Sequence, residues 1–204
     1  MLARERTAVL VSPWTAVILA LFITVVAPEV LAAVLLAALC HELGHYAALR
    51  RFGGKVDAVR ITAFGAEMQL SERCRLSYGQ EWLAIAAGPA VNILLALLLS
   101  TCGRWWEGAY LLSGSHLVLG AFNLLPVRPL DGCSLLWLAA AWLTDPFLAD
   151  RIARATGTAV CFLLALLGAW LWYRNGSPFL LLSVLGLWAA KRKEKGLVKE
   201  RKTR

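Results

Sequence analysis

The sequence has few charged residues. Only 17% of its 204 residues are charged, whereas 59% are hydrophobic, and the mean hydropathy is +0.64. A soluble domain averages about 25% charged and roughly 45–50% apolar residues, so a soluble fold of this composition would lack the polar side chains that cover its surface. We therefore predict an all-α polytopic membrane protein.

Two further features that the sequence lacks narrow the class of protein. No two of the five cysteines form a C-x-x-C pair, and they stand at positions 40, 74, 102, 133 and 161. This spacing favours neither a disulfide framework nor a thiolate zinc site, and we interpret the cysteines as small buried side chains. No A-x-A-like cleavage site follows the first apolar run, so we expect a retained first span and not a signal peptide.

Six apolar stretches approach the length of about 20 residues that a helix needs to cross a bilayer. They are 7–28, 30–49, 82–103, 108–127, 155–173 and 175–190, and a shorter apolar stretch at 131–143 predicts an interfacial helix. We therefore predict about six transmembrane helices in a membrane-embedded domain over residues 1–190, followed by a basic tail over 191–204.

The net charge of +8 is unevenly distributed along the chain. Of the 21 Lys and Arg residues, all but Arg104 and Arg174 fall in segments that six spans would place on one side of the membrane, together with both termini. Basic loops favour the cytoplasm, so this pattern predicts cytoplasmic termini. A basic tail beside a membrane span fits contact with anionic lipid, and we expect no nucleic-acid partner.

The pattern changes between the second and third spans. Over residues 54–70, apolar and polar side chains alternate around Val56, Ala58 and Ile61, with a break at Gly65. Alternation of this kind predicts a small β element at the membrane surface. A loop with a strand-like sequence is the alternative interpretation.

Two of the three histidines stand in Cys40-His41-Glu42-Leu43-Gly44-His45, an HExxH motif inside the second span. On a helix, positions i and i+4 share a face, so His41 and His45 can bind one Zn²⁺ while Glu42 approaches the water that the metal activates. Ionisable side chains are costly inside a membrane, which favours a functional role. A buried Glu-His pair that only connects helices is the alternative.

A catalytic zinc usually takes three protein ligands, so a third must lie elsewhere in the chain. The fourth span ends in a segment that runs from Asn123 to Gly132 and contains Pro126 and Pro129, which prevent continuous helix. Broken backbone at membrane depth lines a cavity or is buried in protein. We therefore predict Asp131 as the third ligand, with a helix N-cap as the alternative interpretation.

Small side chains spaced four apart predict close packing of the second and third spans. His116 lies on the fourth span, seven residues before Asn123, where an interhelical hydrogen bond is favoured over a place on a water path. The small-residue rows are Cys40, Gly44 and Ala48, then Ala86 and Ala90, then Gly88 and Asn92.

The HELGH motif together with N-x-x-P-x-x-x-L-D-G over 123–132 resembles the site-2 protease family of intramembrane zinc metalloproteases. The resemblance covers all six predicted spans, and it is nearest to the branch that contains stage IV sporulation protein FB. The residues nearest to that branch are Phe64-Gly65, Ala87-Gly88-Pro89, Asn123-Leu124-Leu125-Pro126 and Pro129-Leu130-Asp131-Gly132.

The resemblance implies one zinc ion bound by His41, His45 and Asp131, with Glu42 as the general base. It implies that Asn123 contacts the substrate or the developing oxyanion; a helix-connecting hydrogen bond is the alternative role for this side chain. It also implies a substrate that is extended before the cut. The β element is suited to hold such a segment by strand addition.

We therefore expect a zinc endopeptidase that cleaves a membrane-associated protein near the cytoplasmic leaflet and releases a sigma or other transcription factor. Its expected partners are a substrate of the pro-sigma or anti-sigma type, a membrane inhibitor protein and the lipid bilayer. The fourteen residues 191–204 are too few for a nucleotide-sensing CBS domain, so we expect no regulation through one, and we find no PDZ-like insertion between the motifs. A non-catalytic membrane binding module and a metal-ion transporter are the alternatives.

Overall fold

The computed structural model describes residues 8–11, 23–24, 26–62, 65–70, 76–176, 180–181 and 183–188. The chain divides into two compact units, Met1–Asn123 and Leu124–Arg204. Among the elements that the described residues form, the first unit contains a small sheet and three helices that pack on one another, and the second contains two helices that pack together.

The first unit holds three strands, β1 (Ala8–Val11), β2 (Val56–Thr62) and β3 (Gly65–Leu70), in the order β1-β2-β3. β1 pairs in parallel with β2, from Ala8 opposite Ala58 to Val11 opposite Ile61. β2 and β3 pair antiparallel, with Val56 opposite Leu70 and Thr62 opposite Gly65, and the register shifts between Val56 and Ala58. The alternating segment between the second and third predicted spans therefore forms a hairpin.

Helix α1 (Pro28–Arg51) begins and ends at residues suited to those places. Pro28 occupies the first helical position, where its missing N–H costs nothing, and Glu29 adds negative charge to the first turn. Arg50 and Arg51 lie in the last turn, and Gly53 takes a positive φ of 78° just beyond it.

Helices α2 (Tyr78–Cys102) and α3 (Gly108–Asn123) complete the first unit. Ser77 caps α2 in a capping box, because its hydroxyl accepts from the Gln80 N–H at 3.3 Å while the Gln80 side chain accepts from the Ser77 N–H at 3.0 Å. The prediction continued the fourth span to residue 127, whereas α3 ends at Asn123, just before the segment that contains Pro126 and Pro129.

The second unit contains α4 (Asp131–Leu143) and α5 (Pro146–Asn175). The bounds of α4 coincide with the predicted interfacial stretch. The sequence placed a span at 155–173, whereas α5 begins nine residues earlier, where Asp145 accepts from the backbone N–H groups of Phe147 and Leu148 at 2.8 and 2.9 Å. Arg151 and Arg154 interrupt the apolar run but not the helix, because arginine has a high helix propensity.

Within the described residues, three helices are long and apolar enough to cross a membrane, namely α1, α2 and α5. Helix α3 has 16 residues and is shorter than these. The predicted first span began at residue 7, but Ala8–Val11 forms a strand, and residues 12–22 lie outside the described part. Helical residues within 180–188 coincide with the predicted sixth span, and the basic tail lies outside the described residues.

Candidate metal centre

The two histidines of the HExxH motif lie one helical turn apart on α1. Their Nε2 atoms are 3.0 Å from each other, and the rings meet edge to face with a centroid distance of 4.7 Å. His41 is buried and His45 is half-buried. Two imidazole nitrogens are therefore directed at one small volume beside α1.

One face of α2 supports both rings. Ala84, Gly88 and Asn92 follow one another at intervals of four and so share this face. The Nδ1–H of His45 donates to the Ala84 carbonyl at 3.0 Å, and Asn92 Nδ2 lies 3.2 Å from His41 Nδ1. The outer nitrogen of each ring therefore has a partner on α2, and for His45 this partner accepts the ring N–H, as is usual for histidines that bind metals.

Two glycines allow α1 and α2 to approach closely. A Cβ at Gly44 would lie 2.8 Å from the Ala87 carbonyl oxygen, so a side chain there would push the helices apart. A Cβ at Gly88 would overlap the imidazole of His45, including its Nε2 atom. The predicted small-residue packing is present, and it places the His45 ring directly against the α2 backbone.

The polar contacts continue from α2 to α3. Asn92 is fully buried, and its Oδ1 atom lies 3.0 Å from Nδ1 of His116, which is 2% exposed. The interhelical hydrogen bond favoured for His116 is therefore confirmed. Gly120 on α3 lies beside the same asparagine, since a Cβ there would be 3.1 Å from Asn92 Cβ.

Glu42 follows His41 directly on α1. Its side chain is half-buried, and its Oε2 atom is shielded from solvent. A carboxylate buried in an apolar helix cluster is costly to charge unless a cation or donors face it. Glu42 therefore lies on the helix that carries both histidines, with part of its carboxylate out of contact with solvent.

Asn123 is the last residue of α3 and is half-buried. Its Nδ2 donates to the Leu119 carbonyl of the same helix at 3.1 Å. This hydrogen bond is local, so it differs from the helix-connecting bond that was the alternative role for Asn123.

Asp131 begins α4 in the second unit. The N-cap residue is Leu130, and no side chain caps the helix, so Asp131 does not serve as the N-cap that the sequence left open. The segment before it is tightly packed, because a Cβ at Gly132 would overlap the Leu124 carbonyl oxygen, and one at Gly157 would lie 2.9 Å from the Pro126 carbonyl oxygen.

An ion pair and a hydrogen bond connect the same segment to the neighbouring helices of the second unit. Asp150 on α5 accepts from Trp137 Nε1 at 2.9 Å and lies 3.5 Å from the guanidinium of Arg128. Both charged side chains are nearly half exposed, so the ion pair is weak, but the tryptophan ties it to α4. The backbone that presents Asp131 is therefore fixed within the second unit.

Comparison with known proteins points to one family. Residues 29–114 match the family described as peptidase family M50. The chain is 31% identical over 164 residues to stage IV sporulation protein FB of Bacillus subtilis, a match that covers 78% of this chain and 56% of that protein. The chain is thus similar to peptidase family M50, the site-2 proteases. It is a multi-pass membrane protein.

Other M50 relatives agree. The chain is 24% identical over 162 residues to a zinc metalloprotease of Methanocaldococcus jannaschii, covering 76% of this chain and 43% of that protein. The solved structure of the site-2 protease from the same organism has the same fold, with a TM-score of 0.65 and 23% identity, over 88% of this chain and 84% of that one. The chain thus spans about half the length of the two sequence relatives.

The donor set fits the zinc of the M50 metalloproteases. Two nitrogens bound to one tetrahedral zinc at about 2.0–2.1 Å would lie about 3.3 Å apart. The 3.0 Å between the two Nε2 atoms is close to that spacing. Because a carbonyl oxygen only accepts, Ala84 fixes the His45 proton on Nδ1 and leaves the Nε2 lone pair for a metal. Zinc is the cofactor that this site and its relatives indicate.

Sequence reasoning missed the role of Asn92, which it placed only in a row of small residues. The available signal was its polarity, because Asn92 is the sole amide in the apolar part of α2 that follows Trp82. A polar side chain at such a position is expected to bond across helices. Which polar group it meets depends on how α1, α2 and α3 pack.

Proposed function

We propose that this chain is an intramembrane zinc endopeptidase that cleaves a membrane-associated protein near the cytoplasmic leaflet. The observation that carries the proposal is the convergence of His41 Nε2 and His45 Nε2 at 3.0 Å, with the His45 proton fixed on its other nitrogen by Ala84. Similarity to peptidase family M50 supports peptide-bond hydrolysis as the chemistry of such a site.

His41, His45 and Asp131 would hold the ion. A bound zinc supplies a Lewis acid that makes water nucleophilic near neutral pH. Asp131 contributes a carboxylate from a backbone segment that Gly132 and Gly157 hold in place. Three protein ligands leave one coordination position open, as catalytic zinc sites require.

Glu42 acts as the general base in this proposal. It takes a proton from the attacking water as the scissile carbonyl is attacked, and it then returns that proton to the leaving nitrogen. Its half-buried position directly after His41, on the same helix as both histidines, supports this role.

Asn123 donates to the developing oxyanion. Its amide carries two N–H groups, and the one observed bond to the Leu119 carbonyl uses one of them. A neutral donor stabilises the oxyanion without adding a charge to the membrane interior.

The substrate pairs with the sheet as an added strand. Among the described strands, β3 lies at one side of the order β1-β2-β3 and pairs with β2. An extended segment is needed because a helical peptide bond has its carbonyl already hydrogen-bonded. Substrates are therefore expected to carry Gly, Pro or Asn near the cut, which weaken a helix.

The biological product is a released sigma or other transcription factor. Similarity to stage IV sporulation protein FB supports this substrate class. Both termini lie in the cytoplasm in this proposal, since the basic residues concentrate in the segments on that side. An inhibitor protein of the membrane is a further expected partner.

The decisive test replaces Glu42 with Gln. The variant is co-expressed with candidate pro-sigma and anti-sigma factors, and cleavage is scored on gels while zinc is measured in the purified protein. We expect zinc to stay bound and cleavage to be lost. Glu29→Gln, on the same helix but in its exposed first turn, is the matched control and should cleave normally. Cleavage by Glu42→Gln would refute the mechanism.

Two other outcomes separate the alternatives. A binding module would capture the substrate without cutting it, and Glu42→Gln would change nothing. A transporter would move zinc into proteoliposomes, and Asp131→Asn would stop that flux. We expect no zinc flux in either the wild type or Asp131→Asn.

A further inference from the structure

A continuous chain of polar contacts crosses the three helices of the first unit. It runs from the Ala84 carbonyl to His45 Nδ1, from His45 Nε2 to His41 Nε2, from His41 Nδ1 to the Asn92 amide, and from that amide to His116 Nδ1. The four distances are 3.0, 3.0, 3.2 and 3.0 Å. His41, Asn92 and His116 are each at most 4% exposed, so the part of this row from His41 to His116 is shielded from water.

At the Ala84 end of this row of contacts, the direction of the hydrogen bond is fixed. The Ala84 carbonyl can only accept, so His45 carries its proton on Nδ1. A neutral His45 then offers a lone pair on Nε2, either to an N–H of His41 or to a metal.

Two directions are compatible with the remaining positions. In the first, the His41 proton is on Nε2 and points at His45, and His41 Nδ1 accepts from Asn92 Nδ2. Asn92 Oδ1 then accepts from an Nδ1–H of His116, which is the orientation in the structure. In the second, the His41 proton is on Nδ1 and donates to Asn92 Oδ1, and Asn92 Nδ2 donates to His116 Nδ1.

The second direction needs only a half-turn of the Asn92 amide. The oxygen and nitrogen of an amide have nearly the same size, so the half-turn exchanges them without moving a neighbour. The proton balance also closes. His41 exchanges a proton on Nε2 for one on Nδ1, His116 exchanges one on Nδ1 for one on Nε2, and Asn92 keeps both of its own.

Only the second direction lets both histidines bind a metal, because a ligating Nε2 cannot carry a proton. We infer that Asn92 is a positioning residue of the metal centre, whose amide fixes the His41 tautomer, and that zinc binding sets the tautomer of His116 through it. This inference rests on the proposed role of His41 and His45 as zinc ligands. His116 would thereby report metal occupancy from a different helix.

Asparagine suits this place for a physical reason. After the half-turn it presents an acceptor to His41 and a donor to His116 at once, and it carries no charge into a place where it has no exposure to solvent. Loss of such an outer partner typically lowers metal affinity about 10–100-fold.

The first test is nuclear magnetic resonance on the full chain with ¹⁵N-labelled histidine. The protein has three His, so a purification tag without histidine leaves three sets of ring signals, and His116→Gln identifies the set that belongs to His116. With zinc bound, we expect His116 to be protonated on Nε2 and His41 on Nδ1. A zinc-loaded protein with His116 protonated on Nδ1 would overturn the inference.

The second test uses substitutions and measures zinc affinity by competition with a chelating dye. Asn92→Leu should lower affinity about 10–100-fold, because it removes the acceptor. Asn92→Asp should keep affinity within several-fold of the wild type, since a carboxylate still accepts from His41, while His116 should now be protonated on Nδ1. If Asn92 only filled space, Asn92→Asp would not be expected to bind zinc more tightly than Asn92→Leu.

Ser113→Ala is the matched control. Ser113 donates to the Ala96 carbonyl at 2.7 Å and so makes another hydrogen bond between α3 and α2, one helical turn away. We expect its zinc affinity to equal that of the wild type. Should Asn92→Leu fail to fold, the Asn92→Asp affinity and the tautomers still decide the outcome.

The results also separate this inference from the proposed function. If the wild type binds zinc and His45→Ala does not, but Asn92→Leu binds as tightly as the wild type, the inference alone fails. If the wild type binds no zinc, or if His45→Ala binds it equally well, the proposed metal centre fails and the inference fails with it.

Discussion

In the three-helix cluster of the first unit, the inner side chains are small or polar and the outer ones are long and apolar. A soluble protein has the reverse arrangement. The inside holds small and polar side chains, among them Ala37, Asn92 and Ala109, each 0% exposed. The outer surface carries long apolar side chains, such as Leu39 and Leu94, each 57% exposed. A soluble cluster would bury the leucines, because water expels apolar surface.

The difference teaches what holds these helices together. Lipid is as apolar as leucine, so burying leucine against a neighbouring helix gains little, and close packing through small residues and hydrogen bonds stabilises the cluster instead. The same packing brings an imidazole within reach of the Ala84 carbonyl. The metal centre is thus formed from the interactions that assemble the helices.

The largest expected effect comes from removing a ligand on the inside. His45→Ala should lower zinc affinity by more than the about 100-fold that loss of an outer partner costs at most, because a metal–nitrogen bond is lost. Equilibrium dialysis with a competing chelator measures this. His116→Gln is the comparison on the inside and should bind zinc more tightly than His45→Ala. Equal affinities would place the metal elsewhere.

A charge on the outside should have the next largest effect. Leu94→Lys should cost about 2.5–3.5 kcal/mol of insertion free energy, because Leu94 faces lipid near the middle of α2. The yield of folded protein in the membrane fraction measures it, with Leu94→Ala as the control. A soluble protein would tolerate Lys at such an exposed position within about 0.5 kcal/mol, so a normal yield would contradict a lipid-facing surface.

Two glycines allow a matched comparison of packing. Gly88→Ala should destabilise the protein by about 1–3 kcal/mol and weaken zinc binding, because the new methyl group overlaps the His45 ring. Gly114→Ala on α3 meets nothing within 4 Å and should be neutral or slightly stabilising. Thermal unfolding in detergent measures both variants. Similar shifts in melting temperature would contradict the close approach of the His45 ring to Gly88.

The smallest effect is expected at the rim of the second unit. Asp150→Asn keeps an acceptor for Trp137 Nε1 but removes the ion pair with Arg128, in which the two side chains are 41% and 45% exposed. An exposed pair of this kind contributes about 0–1 kcal/mol. The shift in melting temperature should accordingly be small, and a loss comparable with that of Gly88→Ala would show a larger role for Asp150.

Much of the first unit could be predicted from local patterns. The spacing of His41 and His45 places them on one face of any helix, and the apolar length of α1 and α2 predicts spans. The start of α5 was harder to predict from the sequence, because Arg151 and Arg154 break the apolar run while Asp145 and Pro146 begin a helix. A hydropathy criterion starts the span after the two charged residues, whereas the helix itself starts at its N-cap residue.

The pairing of β1 was not predictable in the same way. Ala8–Val11 is apolar and continues into an apolar stretch, so it fits the start of a membrane span. Its strand depends on a parallel partner about 50 residues away in β2. A strand of four residues has no stability of its own, so only the distant partner decides it.

The sequence by itself determined the membrane class, the helix that carries the histidine pair and the chemistry of the HExxH motif, because residue composition and helical periodicity are local properties. The tertiary structure decided which partners those histidines have. Ala84 and Asn92 meet them because Gly44 and Gly88 let α1 and α2 approach, and His116 meets Asn92 because α3 packs against both helices. Hydrogen-bond partners from different helices are a property of packing, and no local pattern specifies them.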